Sequence, residues 1–150
     1  GRHEDLLGDK LTAFAPHTTG IPFFKGQKKC TMEIIKQLFD VASLFDITDN
    51  LTITRQTFRK FAAVELQYRH LQPDDIQQVL DDIYQTALTI CMRGLENPEE
   101  FKLLQDGISQ NGNHSLNNKL PNVFLCVQKT LRTCPFCSSG SYRVVSWSSS

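Results

Sequence analysis

The sequence predicts an all-α protein, a four-helix bundle with an irregular N-terminal segment and a flexible Ser-rich C-terminal tail. Three observations predict it. Apolar residues recur at steps of three and four in four separate stretches, the spacing that gathers them on one face of a helix. Proline, glycine, asparagine and aspartate divide those stretches, and these residues open or end helices. Strand-type alternation is confined to Tyr142–Trp147, and no internal repeat is present. The resulting organisation is an N-terminal extension over 1–29, mostly loop, a helical bundle over 30–134 and a tail over 135–150.

The extension starts with a short helical pattern from Glu4 to Phe14, interrupted by Gly8. It continues through Pro16, Gly20, Pro22 and Gly26 as loop. Ile21, Phe23 and Phe24 in that loop read either as cover for the bundle or as an exposed docking knob. Helix A, from Thr31 to Phe45, carries Ile34, Leu38, Val41 and Phe45, with Ile35, Phe39 and Ala42 widening the stripe. Such a helix is buried over much of its surface. Helix B, from Thr54 to His70, has Phe58, Phe61, Val64 and Tyr68 as its apolar face, with Arg55, Arg59, Lys60 and Arg69 mostly elsewhere.

Helix C opens at Pro73, with Asp74 and Asp75 at the positive end of the helix dipole. Ile76, Val79, Leu80, Ile83, Ala87, Ile90 and Cys91 form its stripe, and Gly94 ends it. Asn97-Pro98-Glu99-Glu100 is a further helix start, a cap followed by proline and two acids, for a short helix ending near Gly107. Residues 108–118 are a polar loop, and helix D runs from Leu120 to Arg132 with Val123, Phe124, Val127 and Leu131 inward.

A chain of 150 residues buries a genuine core as one domain. Sixteen basic and sixteen acidic side chains cancel, so nothing points to nucleic acid or an anionic membrane surface as a partner. The longest apolar runs are a few residues, which excludes membrane insertion by a helical span. The sequence opens on Gly1 with no basic-then-apolar leader, which fits a removed signal peptide and a trimmed start alike.

The five cysteines are Cys30, Cys91, Cys126, Cys134 and Cys137, an odd number that leaves one thiol over if disulfides form. Cys134-Pro135-Phe136-Cys137 has redox-motif spacing, but it follows a helix C-terminus, whose negative end raises a thiol pKa, and no βαβ unit surrounds it. As a zinc site the pair needs two more ligands, and Cys126 and His114 offer unfamiliar spacing. As a staple, Cys134 follows helix D while Cys30 precedes helix A. If those helices are neighbours, a Cys30–Cys134 bridge closes a loop of about a hundred residues and contributes roughly 4 kcal/mol in the chain-entropy model. Cys91 and Cys126 read as buried thiols. His3, His17, His70 and His114 share no ligand spacing, and Asp74, Asp75, Asp81 and Asp82 read as a solvated face. No nucleophile elbow or phosphate loop is present, so neither an enzyme nor a cofactor or metal is expected.

The turn between helices A and B carries two readings. Asn50-Leu51-Thr52 is an N-glycosylation sequon, as is Asn113-His114-Ser115, and both lie outside the expected helices. Counted from Asp46, the same turn copies a calcium-binding loop, with oxygens at Asp46, Thr48, Asn50 and Thr52. Leu51 replaces its turn glycine and Thr57 its bidentate glutamate, which removes calcium binding and leaves at most a degenerate helix–loop–helix. The sequons and cysteines favour a secreted protein; a cytoplasmic location is the alternative.

With KCTMEIIKQL at helix A, TFRKFAAVELQY after the first sequon, and SLNNKLPNVFLCVQKTLRTC after the second, the chain resembles the short-chain four-helix cytokines of the interleukin-3 and interleukin-4 group from Cys30 to Cys134. Arginine and lysine stand where the interleukin-4 type has a helix-B cysteine. The resemblance implies an up-up-down-down bundle, whose A–B crossover travels the length of the bundle; here about eight residues join A to B, reaching roughly 27 Å when extended. It implies binding of a cell-surface protein receptor through the exposed sides of helices A and C. The implied contact residues are Glu33, Lys36 and Asp40 on A, and Gln78, Asp81 and Asp82 on C. The competing reading is an intracellular all-helical adaptor that docks a partner helix in a groove between A and B.

Overall fold

The computed structural model describes residues 2–72, 75–111 and 116–130. In chain order these form α1 (Arg2–Ala13), β1 (Phe24–Lys25), β2 (Lys28–Lys29), α2 (Thr31–Ile47), α3 (Leu51–Tyr68), α4 (Ile76–Cys91), α5 (Pro98–Asn111) and α6 (Leu116–Thr130). The protein is mostly helical, as its stripes require. The tail with Cys134, Cys137 and the serine run, the second sequon at Asn113, and Pro73 and Asp74 lie outside the described residues.

Helix α2 is the hub. Ile34, Ile35, Leu38, Val41 and Ala42 are all fully buried, an apolar arc too wide to be covered by one neighbour. It is covered by α1 on one flank and by α5 and α6 on the others. Helix α4 closes the far side against α6 and α5, and α3 packs chiefly on α1. One continuous core results, to which α1 contributes Leu7 and Leu11, with Phe14 just beyond it.

Two glycines set how closely the helices approach. A Cβ on Gly107 would sit 2.4 Å from the Thr31 carbonyl oxygen, so α5 meets the start of α2 backbone to backbone. This glycine, which the sequence suggests as a helix end, lies inside α5 as a contact point. A Cβ on Gly8 would lie 2.9 Å from the Phe58 nitrogen and 3.0 Å from the Thr54 carbonyl oxygen. Gly8 does not interrupt α1; it lets α1 press against α3. The N-terminal segment is therefore a core helix followed by a structured turn, and six helices rather than four build the described molecule.

A small hairpin follows, with Phe24 opposite Lys29 and Lys25 opposite Lys28. Gly26, at φ 63°, supplies the left-handed backbone at its turn. Gly94, at φ 78°, ends the α4 region as expected. Helix α6 starts four residues earlier than its apolar pattern and contains Pro121. No helix among the described residues is long and apolar enough to cross a membrane.

The connection from α2 to α3 is Thr48, Asp49 and Asn50 alone. Three residues reach about 10 Å when extended, whereas a helix of the length of α2 spans about 25 Å. The two helices therefore cannot lie side by side in parallel, the arrangement an up-up start requires. Nor do they form a tight hairpin, since α1 packs against both and they hardly touch each other. The calcium-loop geometry is also absent: Asp46 and Ile47 belong to α2, residues 51–57 belong to α3, and the Asp46 carboxylate accepts a hydrogen bond from Asn122 Nδ2 at 2.6 Å.

Candidate functional site

The residues singled out in the sequence are distributed over two helices that are not packing neighbours, α2 and α4. On α2, Lys36 is exposed and Glu33 half-buried, while Asp40 is paired with Lys10 Nζ at 3.0 Å. On α4, Gln78 is exposed and Asp81 accepts from Gln77 Nε2 at 2.9 Å. Asp82 is only 6% exposed and is not part of a solvated face. Asn50 is exposed and caps α3, its side-chain oxygen accepting from the Thr52 and Ile53 amides at 3.1 and 3.4 Å. Cys30 is a buried free thiol and Cys91 a half-buried one, and Cys126 is buried; the Cys134 end of the expected bridge lies outside the described residues.

Asp82 is the centre of a polar junction. One carboxylate oxygen accepts from the His17 backbone N–H and the Thr18 hydroxyl, each at 2.8 Å, and the other from the Thr86 hydroxyl at 3.3 Å. Burial pushes the Asp82 carboxyl above the usual aspartate range, and these donors pull against that rise without cancelling it. From the same turn, the carbonyls of Thr18 and Gly20 accept from the Arg69 guanidinium at 2.6 and 3.0 Å. The His17 ring reaches Glu100 at the start of α5, with Nε2 2.6 Å from Oε1. The turn after α1 thus ties the end of α3, the middle of α4 and the first turn of α5 together.

Beside this junction, between α4 and α5, lies a cleft of about 240 Å³. Leu88 and Met92 give it aliphatic wall, Gln85, Thr89 and Asn97 give neutral polar groups, and His17, Glu96 and Glu100 are its ionisable lining. Asn97 holds Glu100 in place: its Nδ2 donates to Glu100 Oε2 at 2.9 Å, and its Oδ1 accepts from the Glu100 N–H at 3.3 Å. This is the capping arrangement read from Asn97-Pro98-Glu99-Glu100, here also orienting a carboxylate.

A second feature is the solvent side of α3. Phe58, Ala62 and Leu66, with Thr54, form its buried face at steps of four. Phe61, Val64 and Tyr68 point outward and are 38%, 56% and 82% exposed. The helical spacing places Phe58 on one face with these three. The structure separates them because α1 packs on the Phe58 face of α3, where Gly8 presses against the backbone at Thr54 and Phe58. Next to Phe61 runs a groove of about 210 Å³. It is bounded by Ala13, Ile21 and Pro22, with Asp9, Lys25, Glu65 and Arg69 at its edges. Ile21 and Phe23 pack on the core, as the covering reading expects, and Phe24 is exposed.

The sequence held no signal for the Asp82 junction, since His17, Thr18 and Asp82 are 64 or 65 residues apart and no spacing rule relates them. Comparison with known proteins finds no family model, curated protein or solved structure that matches this chain.

Proposed function

We propose that this chain is a protein-recognition domain that engages a partner protein through the outer face of α3 and the groove beside it. One observation carries the reading: Phe61, Val64 and Tyr68, at i, i+3 and i+7, form an apolar stripe on the outer side of α3, with Phe61 partly covered and Val64 and Tyr68 mostly exposed. Large exposed side chains gathered at helical spacing are the usual anchors of a helix that inserts into a partner's groove. Aromatic residues at the centre of such a patch supply most of the binding energy. Glu65 and Arg69 on one margin are occupied with each other and with the turn carbonyls, whereas Lys60 on the other margin is exposed. The partner surface that fits is an apolar groove with an acidic rim on the Lys60 side.

Under this reading the partner is a cell-surface receptor if the chain is secreted, as the resemblance to short-chain cytokines implies, or an internal protein if it is not. Mass spectrometry of the natural protein distinguishes the two, with glycan on Asn50 or Asn113 marking the secreted form. The surface itself is tested by selecting groove-forming binders from a displayed library against the full chain, then measuring their affinity for Val64→Asp and Tyr68→Ser. Binders that lose at least tenfold affinity on both variants support the assignment. Binders that map elsewhere, or none at all, overturn it.

A further inference from the structure

We propose that the cleft between α4 and α5 binds an organic cation, a protonated amine on a short aliphatic stem. The inference is independent of the α3 reading and rests on the cleft's shape and chemistry. Its volume of about 240 Å³ equals the liquid share of about eight waters, room for a lysine-sized stem and its head group.

The ionisable lining is acidic on balance. Glu96 and Glu100 border the cleft, and among the described residues its one basic lining group is His17, already held by Glu100 at 2.6 Å. Asp82 lies one hydroxyl behind the wall, bonded to the cleft residue Thr86 at 3.3 Å. Among the described residues no lysine or arginine lines the space, so an anion finds no cationic partner among them. Among the described residues no three His, Cys, Asp or Glu side chains gather closely enough to hold a metal ion. Leu88 and Met92 favour methylenes over a fully hydrated inorganic cation. Glu100 is oriented for the task by its two bonds with Asn97, and a carboxylate with one bond to each oxygen retains further acceptor sites.

The amine can come from a lysine side chain of a bound polypeptide or from a free alkyl amine, and one titration separates them. The chain has two methionines, Met92 in the cleft and Met32 on α2, so methyl-labelled methionine gives a reporter and an internal reference in the full-length protein. The probes are n-butylammonium, 1,5-diaminopentane and Nα-acetyl-lysine amide, with 1-butanol and Nα-acetyl-norleucine amide as neutral counterparts. Saturable shifts of the Met92 methyl with the amines alone, weakened at least tenfold in Glu96→Gln/Glu100→Gln, support the site. A tighter fit for the lysine amide identifies a polypeptide ligand, and a tighter fit for the diamine a free amine. Equal shifts with the neutral probes, no shift with any amine, or affinity unchanged by the double substitution overturns the proposal. Should the double variant unfold, Glu96→Gln alone, at an exposed position, carries the test with an expected loss of about threefold.

Discussion

Asp82 shows how much a single side chain can organise. Its carboxylate replaces water with the His17 N–H and the hydroxyls of Thr18 and Thr86. Burial nevertheless raises its pKa, so the protonated form is favoured in the folded chain relative to the unfolded one. The stability that Asp82 lends is therefore complete below its ordinary value of 3.8 and declines as pH rises through the raised one. Asp82→Asn, which cannot ionise, should gain stability relative to the parent as pH rises above about 4. Denaturant midpoints of both proteins at several pH values check this, and a constant difference would show that the three donors balance burial. Thr54 offers a complementary case. Its hydroxyl is buried with no hydrogen-bond partner among the described residues, so Thr54→Val should raise stability by about 1 kcal/mol, readable as an increased midpoint at unchanged slope.

At the scale of elements, the helices follow the apolar spacing, but how they touch depends on where side chains are missing. Gly107 and Gly8 sit where α5 meets α2 and α1 meets α3, and neither position tolerates a Cβ without moving backbone. Gly107→Ala should therefore cost about 2–3 kcal/mol despite alanine's better helix propensity. A thermal transition unchanged or raised by that substitution would show that α5 can shift at little cost. The α3 stripe gives the converse expectation: Tyr68→Ser removes an exposed ring and should change stability by no more than about 0.5 kcal/mol. The sequence made α3 readable as a helix because its apolar residues keep the 3.6 period. It did not show which of two apolar faces is buried, since Phe61, Val64 and Tyr68 are larger than the Ala62 and Thr54 that lie inside.

At the scale of the whole molecule, α1 is part of the fold, not an appendage. Leu7, Leu11 and Phe14 are completely buried between α2 and α3. Burying three such side chains contributes about 5–9 kcal/mol, comparable with the total stability of a domain of this size. Deletion of residues 1–14 should abolish cooperative unfolding while leaving much of the helical signal, as near- and far-ultraviolet circular dichroism can show. A sharp transition in the truncated chain would mean that α2 to α6 close a core unaided. The same placement explains the three-residue turn after α2: α1 separates α2 from α3, so the turn only changes the chain's direction.

The sequence by itself determined the helical class, the five later helices to within a few residues at most ends, the Asn97 start and the Gly94 stop. These are local matters, set by side-chain period and backbone preference within a turn or two. Tertiary structure alone decided the rest. It made Gly8 and Gly107 contacts instead of breaks, turned α3 so that Phe58, Ala62 and Leu66 are inside, and took Asp82 out of water to meet a turn 64 residues away. Each of these depends on which surfaces meet, and a packing choice among several apolar faces is settled by close fit over the whole core, which no single segment carries.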